Sequence, residues 1–155
     1  MDILGEINSR EIVYVKHRLD FNWANELPDS NWLFLGLVDI ESNTILDEIA
    51  RKIIDKNVCY ACCFGHYGEK LHDLIDENLS IREVEIENNY LPPFNIMTTW
   101  HKYLDECIWF ASYLAFHEEV DIKTIFCLDI GNDSHKEKII ELVKRLNNGF
   151  IPENE

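Results

Sequence analysis

An uncharged run of seven residues, 58–64, constrains the fold of this chain more than any other stretch. Its length, its apolar composition and the glycine-containing turn that follows it predict a β-strand buried on both faces. Two further apolar runs, residues 32–38 and 123–128, have the same character, and an aspartate follows each of them. Because strands buried on both faces belong to parallel sheets that helices cover, these runs predict an α/β fold.

Segments with helical periodicity separate the apolar runs, because their apolar residues recur three and four positions apart. Ser134 and Glu137 add a capping-box pattern at the start of the last of these segments. The predicted helices cover about residues 44–55, 69–77, 98–115 and 134–146.

Two weaker patterns complete the predicted sheet. Residues 11–17 are rich in β-branched and aromatic side chains, and residues 80–88 alternate glutamates with other side chains, as an edge strand with one face in water would. The whole pattern predicts a three-layer α/β/α sandwich around a mostly parallel sheet of about five strands, of the Rossmann or flavodoxin type. The sequence leaves the strand order open. A single domain over residues 1–155 is expected, with an acidic tail at 150–155 that frays.

The charge of the chain restricts its partners. It carries 14 Lys and Arg residues against 29 Asp and Glu residues, a formal net charge of −15. Such a surface repels nucleic acids and anionic membranes and attracts a basic protein, although charge can also serve solubility alone. The N-terminus lacks a signal-peptide pattern and no apolar run is long enough to cross a membrane, so a cytoplasmic location is expected.

The ends of the predicted strands offer one candidate reactive site. Asp39, His66 and Asp129 each follow an apolar strand, and sites in parallel sheets gather at the carboxyl ends of the strands. The three side chains would form an acid–base set if they converged, whereas an aspartate in this position also commonly caps the next turn. No Gly-rich nucleotide loop accompanies them, because the residues 65–68 lack the third glycine of a dinucleotide motif.

The cysteines favour a structural role over a chemical one. The chain has five, and Cys59, Cys62 and Cys63 lie within one predicted core strand, where neighbouring thiols point to opposite faces. A metal site or thiol nucleophile would need converging, partly exposed ligands. We therefore expect reduced, buried cysteines and neither a metal nor a cofactor.

Neighbouring acidic residues beside aromatic side chains suggest a surface that binds a basic partner. One alternative is a solvated acidic face without a partner. Another is that the chain is a subunit of a larger assembly and uses the aromatic helix predicted at residues 98–115 as its interface. The candidate partner-binding residues are the carboxylates Asp73, Asp76, Glu77, Glu83, Glu85 and Glu87 and the aromatic anchors Trp23 and Tyr90.

In overall character the chain resembles the immunity proteins that bacteria keep against toxins. The resemblance lies in its short, strongly acidic α/β sequence, including the glutamates at 83, 85 and 87 and the loop with Phe21 and Trp23, and not in a diagnostic motif. It implies a cytoplasmic bacterial protein that occludes a basic toxin or nuclease domain and catalyses nothing itself. The alternative is a small enzyme or ligand-binding domain that uses Asp39, His66 and Asp129.

Overall fold

A six-stranded sheet forms the centre of the computed structural model, which describes residues 1–85 and 89–153. The strands are β1 (Asp2–Ile7), β2 (Arg10–Lys16), β3 (Trp32–Val38), β4 (Tyr60–Phe64), β5 (Met97–His101) and β6 (Thr124–Ile130). The helices are α1 (Asn43–Asp55), α2 (Gly68–Val84), α3 (Leu104–Trp109) and α4 (Lys136–Asn147), with a π-helical turn at Phe110–Leu114 and a 3-10 turn at Trp23–Glu26.

The sheet has the order β1-β2-β6-β3-β4-β5 and is parallel except for one pair. The exception is β1, which pairs antiparallel with β2 through a two-residue turn. Asn8 and Ser9 in this turn have φ angles of 53° and 64°, which suit the twist of a tight hairpin. The α/β class and the mostly parallel sheet are therefore confirmed, whereas the expectation of about five strands is corrected to six.

Helices cover both faces of the sheet. Along β3, the side chains of Leu33, Leu35 and Leu37 point into a core that includes residues of α3 and α4. Alternate side chains of the same strand, such as Phe34, enter a second core with residues of α1 and α2. This burial on both faces is why β3, β4 and β6 have continuous apolar sequences. Among the described residues no helix combines the length and the apolar character that crossing a membrane requires.

The edge strand predicted over residues 80–88 is wrong over residues 80–84, because α2 continues to Val84. Arg82 explains the difference, since it is buried and its guanidinium donates to an Asp55 carboxylate oxygen at 2.7 Å and to the Tyr90 carbonyl at 2.9 Å. The alternating glutamates are good helix formers, and this tertiary anchor sets their conformation. Residues 86–88, including the predicted Glu87, lie outside the described part of the chain.

The predicted long helix from residue 98 is also wrong at its start. Met97–His101 forms β5 at the edge of the sheet, and α3 begins only at Leu104. The threonines and the tryptophan of this segment are common strand residues, and pairing with β4 decides between the two patterns. The long aromatic helix on which the assembly hypothesis depended is thus divided among a strand, a short helix and a π-helical turn.

The C-terminal tail, residues 150–155, was expected to fray, and the structure describes its residues 150–153. The guanidinium of Arg145 lies over the Phe150 ring at 3.9 Å, and Pro152 is buried.

Candidate functional site

The carboxyl ends of β2, β6 and β3 lie side by side and form the first candidate site. From β3 the chain continues into α1 on one face of the sheet, and from β6 it continues into α4 on the other. Helices that diverge from neighbouring strands leave a crevice between them, and this is where ligands of open α/β sheets bind.

Asp129 lies at the base of this crevice and has no exposed surface. Its carboxylate accepts hydrogen bonds from the Tyr14 hydroxyl at 2.5 Å, from the His135 backbone N–H at 2.7 Å and from the His135 Nδ1 at 2.9 Å. Burial acts to raise the pKa of Asp129, but the hydrogen bonds from His135 and Tyr14 outweigh it, so the pKa lies below the usual value. Asp129 is therefore a buried carboxylate that stays ionised.

His135 joins Asp129 to Asp39. Its Nε2 lies 3.3 Å from an Asp39 carboxylate oxygen, while its Nδ1 faces Asp129. The hydrogen bond to Asp129 raises the pKa of His135 against the effect of burial, and the charges of Asp129 and Asp39 raise it further. The arrangement is a carboxylate–imidazolium–carboxylate chain, which we call the strand-end cluster: Asp129, His135 and Asp39.

The connections around the cluster are closely fitted. A side chain at Gly131 would place its Cβ 3.1 Å from the Cβ of Asp39, so the residue permits the close approach of two loops. The predicted capping box at the start of α4 is not formed, because α4 begins at Lys136 and the Ser134 hydroxyl accepts from the Lys136 N–H at 3.3 Å. Ser134 also lies 3.2 Å from the Tyr14 hydroxyl, which ties the loop to the buried carboxylate.

Asp39 is the member of the cluster that a ligand would meet first. Its side chain is 37% exposed, against 12% for His135. The ring of His135 separates the two carboxylates, and no three His, Cys, Asp or Glu side chains in the described part of the chain are arranged to hold a metal ion. What the cluster can do chemically is accept a hydrogen bond or a proton at Asp39, with His135 holding that carboxylate in place.

Of the three strand-end residues expected from the sequence, the structure brings Asp39 and Asp129 to one cluster through His135. His66 contributes its backbone N–H, 3.4 Å from an Asp39 oxygen, while its exposed ring contacts Tyr67. His135 is not predictable from the sequence in the same way, because it lies beyond the turn after β6, within the pattern that predicts a helix start.

The second candidate site is the outward face of α2. Five carboxylates occupy it and each is exposed. We call this set the acidic face: Glu69, Asp73, Asp76, Glu77 and Glu83. The lysine and the arginine of α2 lie elsewhere, since Lys70 is 3.8 Å from Glu41 and Arg82 is buried against Asp55, whereas His72 lies 3.2 Å from Asp73. Asp73 follows Glu69 by four positions and precedes Asp76 and Glu77 by three and four, and Glu83 follows Asp76 by seven, about two turns, so the five project on one side of the helix.

The predicted partner-binding residues divide between this face and other places. Glu85 is exposed just after α2, whereas Trp23 is only 2% exposed and packs in the core, so it is not available as an anchor. Tyr90 is 48% exposed and its hydroxyl donates to the side chain of Asn57. Trp100, which was predicted in a helix, is instead exposed on β5, as is Met97.

The five cysteines are all buried and unpaired with one another. Burial raises the pKa of every one of these thiols, to about 11 for Cys59 and about 12 for Cys62. A thiol with a raised pKa and no access to solvent is a poor nucleophile, so these residues belong to the core.

Residues 13–146 match the family described as "Domain of unknown function (DUF7684)". No curated protein matches the chain.

Proposed function

Because the chain belongs to the DUF7684 family, described as a domain of unknown function, we propose its function from geometry and charge: it binds a basic protein partner through the acidic face of α2. An immunity-type inhibitor that occludes a basic toxin or nuclease domain is the form of binding that we propose. We propose a cytoplasmic location for this inhibitor.

The observation that carries this proposal is that, among the described residues, no lysine or arginine pairs with the acidic face, whose one basic neighbour on α2 is His72, 3.2 Å from Asp73 and 3.7 Å from Asp76. Five carboxylates project from one side of a helix, and the Lys and Arg side chains of that helix are directed to other partners. Added to a net charge of −15, this face would steer a basic domain toward α2 and favour its correct orientation.

Charge reversal on the face tests the proposal. We would isolate partners by capture from the source cell at low salt, identify and purify them, and measure association with the variant Asp73→Lys/Glu77→Lys/Glu83→Lys. The matched control is Asp20→Lys/Glu141→Lys/Glu153→Lys, which changes the net charge by the same amount at exposed sites away from α2.

The face variant is expected to associate at least about tenfold more slowly at low ionic strength, with a weaker dependence on salt, because local steering is lost. The control variant should lose only the smaller part that comes from net charge. Equal losses in the two variants would remove the acidic face from the interface.

The strand-end cluster favours a second candidate function, binding of a small ligand that presents a hydroxyl or amine to Asp39. It is supported by the His135 bridge, which holds an exposed carboxylate over a buried one at the usual binding crevice of this fold class. A thermal-shift panel of hydroxyl- and amine-bearing metabolites tests it. Stabilisation that Asp39→Asn abolishes and the nearby Asp133→Asn retains is the expected result, and a panel with no Asp39-dependent compound would end this candidate.

A further inference from the structure

The two edges of the sheet are built differently. The edge strand β1 carries the charged residues Asp2 and Glu6, and its register with β2 shifts between Ile3 and Gly5. Charges and bulges of this kind keep other strands from pairing with an exposed edge. At the opposite edge β5, residues 97–101, contains no acidic residue, lysine, arginine or proline, and its ladder with β4 is regular.

The outer side of β5 has no strand partner among the described residues. The Met97 N–H donates to the Cys59 carbonyl at 3.1 Å, so Met97 and the residues alternate to it face the sheet. The N–H and C=O groups of Thr98 and Trp100 therefore point outward, and within residues 1–85 and 89–153 no strand pairs with them. These groups are a template for an additional strand.

Exposed apolar surface lies along the same edge. Trp100 is 47% exposed and Met97 is 48% exposed. The Trp100 indole lies against the start of α2, where a Cβ on Gly68 would be 3.3 Å from it. A strand added beside β5 would cover part of both side chains, and a partly exposed tryptophan is a common anchor in interfaces.

The charges around β5 select what would bind there. Asp76 of the acidic face accepts a hydrogen bond from the Thr98 hydroxyl at 2.9 Å, so one carboxylate lies directly beside the strand. A cleft of about 540 Å³ lies at its beginning, with apolar walls that include Leu79 and Phe94 and with Glu83 and Glu119 at its margin. No lysine or arginine among the described residues lines this cleft.

We propose that β5 accepts an extended basic segment of the partner protein as a seventh strand, with lysine or arginine side chains beside Asp76 and at Glu83 and Glu119. This inference rests on the proposed binding of a basic protein and names how that protein is held. A second copy of this chain is a poor occupant, because it would bring another net charge of −15 to the same edge.

A seven-residue peptide that alternates lysine and valine is the probe. Binding should slow amide hydrogen exchange at Thr98 and Trp100 by at least about tenfold, because both N–H groups become hydrogen-bonded. The same peptide N-methylated at alternate residues should bind about tenfold more weakly, because each lost backbone hydrogen bond weakens the complex. A glutamate–valine peptide should not bind.

Two variants at one position isolate the backbone contribution. Thr98→Pro removes an outward N–H without changing the inner ladder, and Thr98→Val is its control, because both lose the hydroxyl but only proline loses the donor. We expect weaker peptide binding for Thr98→Pro alone. If Thr98→Pro does not fold, the comparison of plain and N-methylated peptides decides the question.

The possible outcomes distinguish a failure of the added-strand inference from a failure of the proposed binding through the acidic face. Binding that is lost on reversing Asp73, Glu77 and Glu83 but is unchanged by N-methylation would overturn the added strand and leave the acidic face as the interface. Absence of peptide binding, or a dimer of the chain that protects the amides of Thr98 and Trp100, would likewise overturn the added strand. If the face variant and Thr98→Pro both bind the partner as tightly as the native chain, the added strand and the acidic-face interface are both overturned.

Discussion

Replacing His135 by leucine is the most direct perturbation of the strand-end cluster. The substitution His135→Leu keeps the size and apolar contact of the side chain beside Phe64, whose ring centroid lies 6.2 Å from that of His135. It removes the nearer of two basic partners of Asp129, leaving the Lys16 ammonium 3.8 Å from the carboxylate, and it keeps the backbone N–H of residue 135, so α4 can still begin at Lys136. The variant therefore tests the electrostatics of the cluster with little change in packing.

The expected loss in the free energy of unfolding is about 3 kcal/mol. Removing one partner of a buried ion pair costs roughly 3–5 kcal/mol, since the remaining charge is left without compensation. Asp129 is fully buried, but in the variant it keeps the hydrogen bonds from the Tyr14 hydroxyl and the residue 135 N–H and the Lys16 ammonium at 3.8 Å, which places the loss at the lower end. For a chain of this length such a loss lowers the Tm by roughly 6–12 °C.

The pH dependence has a defined sign. The folded-state pKa of His135 is raised above 6.5, so its stabilising contribution is complete below pH 6.5 and falls as the pH rises through the folded-state value. The folded-state pKa of Asp129 is lowered below 3.8, so its contribution is present above that pH and falls as the pH drops through the folded-state value. The cluster therefore stabilises the fold most between these two limits.

Urea unfolding of the native chain and of His135→Leu at pH 6 and pH 9 measures both effects. The difference in unfolding free energy should be near 3 kcal/mol at pH 6 and should decrease as the pH rises through the folded-state pKa of His135, because the neutral ring retains only an uncharged hydrogen bond. Asp39→Asn is the matched control: its side chain is partly exposed, so it should cost less than about 1 kcal/mol. A difference below about 1 kcal/mol at pH 6, or one that does not change with pH, would refute the assignment of a charged, paired His135.

Three further predictions follow from other parts of the fold. Gly65→Ala should lower the free energy of unfolding by more than about 2 kcal/mol, because its φ is 110° and a Cβ there would lie 2.4 Å from the Val38 carbonyl oxygen. Gly149→Ala is the control: its φ is 92° but a Cβ meets no atom within 4 Å, so urea unfolding should show a loss of about 1 kcal/mol. Arg10→Gln should cost about 2 kcal/mol and speed hydrogen exchange in the π-helical turn, whose carbonyls its guanidinium binds; unchanged exchange would contradict that anchoring. A thiol reagent should modify none of the five cysteines in the native chain on the timescale that modifies all five in denaturant, and rapid native labelling would contradict their burial.

Local sequence patterns predict those elements whose burial is uniform along their length. The strands β3 and β4 are apolar throughout and β6 is apolar over Ile125–Leu128 because helices cover both faces, and α1 has a well-defined apolar side, so both kinds of pattern are visible in the sequence. The edge strands are harder to predict. The strand β1 has a bulge at Gly5, and β5 has exposed and buried residues in no strict alternation, so neither shows the pattern expected of a buried strand.

The candidate site shows the same limit. Asp39 and Asp129 are predictable because each comes at the end of an apolar strand. His135 follows β6 by five positions, and its role depends on where the loop returns over the ends of three strands, which local spacing does not encode. The length of α2 is a similar case, because the contact of Arg82 with Asp55 joins residues 27 positions apart and outweighs the alternation of glutamates.

The two proposed sites use different elements, which makes them separable. The strand-end cluster is held by β2, β3, β6 and the start of α4. The acidic face belongs to α2, and the proposed strand-binding edge is β5. A direct connection between them is the hydrogen bond from the His66 N–H to Asp39, just before α2 begins, and at 3.4 Å this bond is long. Because it is weak, a substitution at Asp39 should leave the charge and position of α2 unchanged, and charge reversal on α2 should leave the cluster intact. Each proposal therefore stands or fails on its own variants.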